Sequence, residues 1–193
     1  MTDLGAGKRW YDRQPRLSQA VRLLMLFPDE IKTIICDGVM ILANREFQVN
    51  EQMKSFRTLG TDKIMGLHKS KSKNRNYDQN QIMHKAMNYL YILTERNQDV
   101  MAEFTLEIIG FIQDYLRTCQ IFKADVSMER VADITQAYIE SGADGARELI
   151  EAVREELHGK LVVSEGAEPL DFIEDAMGGM KISGATKPSD KKE

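Results

Sequence analysis

Cysteine is nearly absent from this chain: Cys36 and Cys119 are the only two in 193 residues. They lie far apart, form no CxxC pair, and sit in apolar helical patterns beside Ile34 and Ile35 and beside Leu116 and Ile121. That usage predicts two buried thiols in a reducing compartment, with a disulfide between them as the less favoured alternative. Long hydrophobic runs are missing too. None approaches the roughly 18 apolar residues that a membrane-spanning helix needs, so no membrane partner is expected. The opening MTDLGAGKRWYDRQP has no apolar stretch of the kind a secretory signal carries, and a cytoplasmic location is the expectation. Strand signals hardly appear. A strong charge of one sign is also lacking: the formal net charge is −4, so no global field favours nucleic acid or an anionic surface.

What the chain does have is helix-forming pattern from end to end. A hydrophobic fraction of 42% supplies a core and argues against a disordered chain. Pro15 opens a first helix, Arg16–Phe27, with Leu17, Val21, Leu24 and Met25 at helical spacing. Pro28 ends it and starts a second, which runs to about Glu46. There Ile31, Ile34, Ile35, Met40, Ile41 and Leu42 spread over an arc wide enough for burial, and Gly38 suits a close approach by another helix. Asn50 is placed to cap a third helix, Glu51–Leu59, and Asp78 a fourth that ends near Glu95. Asn97–Asp99 reads as a connection. Val100, Phe104, Ile108, Phe111, Tyr115 and Cys119 then recur at three and four residues. They mark Val100–Phe122 as the central helix. Ser127 caps a sixth helix, Met128–Ser141, which Gly142 ends. Asp144 caps a seventh, Gly145–His158, and Leu161–Val163 reads as a short extended piece.

The expected fold is therefore all-α: an irregular bundle of about seven helices around a long central one. Residues 1–15 are expected as an N-terminal arm, 16–163 as the helical domain and 164–193 as a C-terminal tail. Within that tail PLDFIEDAMGGM, Pro169–Met180, has Leu170, Phe172, Ile173, Ala176 and Met177 at roughly helical spacing among acidic residues. It reads as a short docking helix, for the body or for a partner.

Motifs that carry chemistry are scarce. GAGK at Gly5–Lys8 lacks the first glycine, the hydroxyl residue and the preceding strand of a phosphate-binding loop. Glu155 and His158 match E-x-x-H, but no second such pair exists, and a carboxylate-bridged metal site needs two. His68, His84 and His158 have no metal-ligand spacing. No cofactor, metal or catalytic residue is assigned, and an enzyme is the third reading.

Two local signals remain. Lys63, Lys69, Lys71, Lys73 and Arg75 gather positive charge in an otherwise acidic chain, with Tyr77 at the edge. Together they are a candidate contact for a polyanion, or a dock for an acidic partner. Arg9, Trp10 and Tyr11 are candidate interface anchors on the N-terminal arm, as are Leu170, Phe172 and Ile173 in the tail. The alternative for Trp10 is packing back onto the first helix. The leading expectation is a non-enzymatic helical adaptor, regulator or assembly subunit with a protein partner, in which apolar faces left after packing would allow a homo-oligomer. The alternative is a nucleic-acid-associated protein that binds phosphates through residues 63–75.

Overall fold

The computed structural model describes residues 9–55 and 80–165, and among them there are helices and no strand. A short 3-10 helix, Trp10–Arg13, precedes α1 (Pro15–Leu24), α2 (Asp29–Phe47), α3 (Val49–Ser55), α4 (Gln81–Ile92), α5 (Glu95–Ile121) and α6 (Met128–Glu165). Pro15 stands in the first turn of α1, where its missing N–H costs nothing. Side chains cap three other starts. Asn80 Oδ1 accepts from Met83 N at 2.9 Å, Thr94 Oγ1 from Asn97 N at 3.4 Å, and Ser127 Oγ from Arg130 N at 3.3 Å.

The caps revise several expected boundaries. Asn80 takes the role assigned to Asp78. Thr94 starts α5 five residues earlier than expected, so Asn97–Asp99 is helix rather than connection. The third helix begins at Val49, directly after Gln48 closes α2 in the left-handed region (φ 51°). Residues 161–163, expected to be extended, continue the α6 backbone to Glu165.

Two helices share the centre. α5 packs on α1, α2 and α6, while α2 packs on α4, α5 and α6. Ile108, Ile109, Ile112, Tyr115 and Cys119 of α5 are buried against Ile31, Ile35, Val39 and Leu42 of α2 in one apolar core. Met83, Met87 and Met101 are within it, as their helical spacing implies. Gly38 is where α2 meets α6: a Cβ there would stand 2.6 Å from Thr135 Cγ2. Thr135 is held in place because its Oγ1 donates to Val131 O at 2.9 Å. Gly38→Ala is therefore expected to lose about 1 kcal/mol, overpacking outweighing the helix-propensity gain of alanine. Adding Thr135→Ser, which removes Cγ2 and keeps the hydroxyl bond, should recover most of that loss in the urea midpoint.

α6 is a hairpin rather than a rod. Gly142 breaks its helical geometry at φ 70°, ψ −156°. Arg130 Nη2 lies 3.0 Å from Glu156 Oε2, although an unbroken helix would set residues 26 apart at about 39 Å. The chain thus reverses at Gly142, and the two arms run back along each other. The reversal is tight enough that a Cβ on Gly145 would stand 3.0 Å from Ala137 O. The expected break between a sixth and a seventh helix is present, but as one residue rather than a Gly142–Asp144 linker. Asp144 is instead ion-paired with Arg147 at 2.6 Å.

The N-terminal stretch also differs from expectation. Residues 10–13 are not an extended arm: Tyr11 is 1% exposed and belongs to the core. Asp12 ties this turn down, accepting from Arg9 N at 3.0 Å and from Ser18 Oγ at 3.1 Å. Gln14 Nε2 then donates to Gln98 Oε1 at 2.7 Å, and Arg16 pairs with Asp99 and Glu103, so α1 is fastened along α5.

Candidate functional site

Of the residues singled out as interface anchors, Tyr11 is removed by burial. Its ring is core and its hydroxyl accepts from Arg9 Nη1 at 2.6 Å. Trp10 packs edge-on against both Tyr11 and Tyr91, with ring centroids 5.6 and 5.3 Å away. It is therefore a bolt between the N-terminal turn and α4, and neither a free anchor nor a staple on α1 alone. Lys63, Lys69, Lys71, Lys73, Arg75 and Tyr77 lie outside the described residues, as do Leu170, Phe172, Ile173 and the Gly5–Lys8 stretch. Glu155 and His158 are both exposed, and His158 meets the edge of Phe122 at 6.5 Å. Among the described residues no three His, Cys, Asp or Glu side chains are grouped to hold a metal ion.

The concave features separate by what their polar groups are already doing. The void enclosed by α1, α2, α4 and α5 holds about 10 Å³ among Leu17, Val21, Val39, Met83 and Met87, less than a ligand needs. A broad cleft of about 530 Å³ runs over Glu107, Gly110, Phe111, Asp114, Arg117 and Arg147. Its carboxylates are engaged: Glu107 accepts from the Tyr138 hydroxyl at 2.6 Å, and Asp114 pairs with Arg154 at 2.7 Å. The two thiols are buried, and burial, aided by Asp37, pushes the Cys36 thiol up to about 12, far from a nucleophile's range.

A smaller groove of about 180 Å³ lies between the α5–α6 loop and the second arm of α6. Its floor is Tyr115, Cys119 and Val153, all buried, with Leu157 half-buried beside them. Tyr115 fixes the loop: its hydroxyl oxygen accepts from Ser127 N at 3.0 Å. Burial raises the Tyr115 phenol above its ordinary range, so it stays a neutral, oriented acceptor. One rim is a charge chain in which Glu156 accepts from Arg130 at 3.0 Å and from Lys160 at 2.6 Å. Lys160 and then Arg130 hold the Glu156 carboxyl below its ordinary range. Three large apolar side chains close in sequence to the lining residues face solvent: Ile121 at the end of α5 is 53% exposed, and Val126 and Met128, on either side of Ser127, are 41% and 37% exposed. Among the described residues, the other exposed large apolar side chains, Leu26, Ile41 and Tyr91, lie after α1, on α2 and near the end of α4.

Sequence reading missed this site. In the sequence Ile121 stands in the apolar pattern beside Cys119, and Met128 opens the expected sixth helix. The available signal was apolar residues on both sides of Ser127 in a connection that otherwise calls for polar ones. No family model, curated protein or solved structure matches the chain.

Proposed function

We propose that the protein is a helical interaction protein whose contact surface is the groove between the α5–α6 loop and the second arm of α6. One observation carries this reading: Ile121, Val126 and Met128 stay exposed at the end of α5, in the loop and at the start of α6, the stretch of chain that also supplies one wall of a preformed groove. Solvent-facing apolar groups gathered at a concavity favour a partner that removes them from water. The engaged carboxylates of the broad cleft and the buried thiols lend no comparable support to an enzymatic reading. The chemistry of the groove suits an apolar segment, helical or extended, with acidic flanks that can meet Arg130 and Lys160.

The test is affinity purification of the tagged full chain from its native cells, with and without nuclease, beside a Val126→Asp/Met128→Glu variant. The expected result is a stoichiometric protein that survives nuclease and is lost from the variant. Capture unchanged in the variant would overturn the groove reading. Association that is nuclease-sensitive, falls steeply with salt and disappears in Lys69→Ala/Lys71→Ala/Lys73→Ala would place the phosphate-binding reading ahead of it.

A further inference from the structure

Resting on that reading of the groove, we propose that its resident occupant is the chain's own segment Pro169–Met180, which an external partner must displace. The first argument is tether length. The second arm of α6 carries Val153, Leu157 and Lys160 along the groove and continues five residues to Glu165, about 7.5 Å of helix. Pro169 follows after three residues, which extend over about 14 Å at most. A return turn of that length brings the segment to the Lys160 end of the groove. A tether this short gives an effective concentration on the order of millimolar, so even a weak site is largely filled.

The second argument is chemical match. Leu170, Ile173 and Met177 fall at helical spacing with Phe172 beside them, an apolar edge suited to half-buried Leu157 over the Tyr115, Cys119 and Val153 floor, with exposed Val126 and Met128 on either side of groove-lining Ser127. Asp171, Glu174 and Asp175 interleave with that edge. The groove rim has two cations, Arg130 and Lys160, sharing one carboxylate, Glu156, with exposed Lys123 at the end of α5. Asp125 is the acid of the loop side. A second copy would bring the same apolar groups but no tether, and at cellular concentrations the tethered segment is the stronger competitor.

Occupation in cis makes the groove self-masked, so an external partner binds in proportion to the fraction of chains whose segment has released.

Chymotryptic cleavage after Phe172 in the full chain reads this directly, because cleavage tracks the population in which the segment is released. The wild-type chain should be cut there about tenfold more slowly than Val126→Asp/Met128→Glu. The reciprocal variant Leu170→Ser/Ile173→Ser, which leaves the helical body untouched, should speed cleavage equally and raise partner capture. Protection should be the same over a hundredfold range of chain concentration. Equal cleavage rates in all three chains would overturn the proposal while leaving the capture experiment free to support the groove as an interaction surface. Protection that grows with chain concentration would overturn it in favour of a second copy.

Discussion

Tyr11→Ala is expected to destabilise the protein by about 3–5 kcal/mol, the range for deleting a fully buried aromatic ring. At this chain length such a loss lowers the melting temperature by roughly 10 °C, since each kcal/mol shifts it by about 2–4 °C. The reason is specific. Tyr11 is 1% exposed, and Trp10 stacks edge-on against it while also touching Tyr91 of α4. Removing the ring leaves a cavity beneath the 3-10 turn and frees the tryptophan from one of its supports. Tyr11→Phe separates packing from hydrogen bonding. It keeps the ring and loses the bond from the exposed Arg9, so it should cost far less than the alanine, about 1 kcal/mol. A melting temperature unmoved by Tyr11→Ala would mean that residues 9–14 are a free arm after all.

The second large effect is expected at the reversal in α6. Gly142→Val should cost about 3 kcal/mol, because φ 70° with ψ −156° is a region essentially restricted to glycine and worst for a β-branched side chain. Nothing crowds the position, since a Cβ there meets no atom within 4 Å; the cost is backbone strain rather than collision. If the strain is relieved by straightening the turn, the arms separate. The Arg130–Glu156 contact and the groove beneath it are then lost together, and partner capture falls with stability. Gly110→Ala is the matched control. It is an exposed position within α5, not at positive φ, with nothing within 4 Å of an added Cβ. It should be neutral or stabilise by up to about 1 kcal/mol. Urea unfolding of the two variants, monitored by far-UV circular dichroism, distinguishes strain at Gly142 from a general effect of replacing glycine.

Helix content, the buried faces and the helix breaks are written locally in this chain. Ile108, Ile112, Tyr115 and Cys119 recur at the spacing of one helical face, and all four are buried. Ser127 caps where its side chain can reach the backbone three residues on, and Gly142 ends a helix by taking backbone angles that are open to glycine and closed to other residues. Gly38 was legible as a close-approach site for the same kind of reason: its local helix cost calls for a neighbour, and Thr135 is that neighbour. Each of these depends on one turn of chain or on one periodicity.

Other features depend on atoms distant in sequence, and only the tertiary structure decided them. Tyr11 stands in a charged, glycine-rich stretch with no apolar periodicity around it, so nothing local marks it as core; it is buried because the turn that carries it is fastened to α1 and α5 through Asp12, Gln14 and Arg16. That Gly142 reverses the chain rather than merely ending a helix is visible only in the meeting of Arg130 with Glu156. The groove exists for the same reason. Its floor joins Tyr115 and Cys119 of α5 to Val153 of α6, and its rims are a loop and a helical arm further along the chain; packing leaves Ile121, Val126 and Met128 exposed near that loop. Periodicity determines which face of a helix is apolar; the packing of distant helices determines which part of that face is covered, and the exposed remainder is the surface proposed for binding.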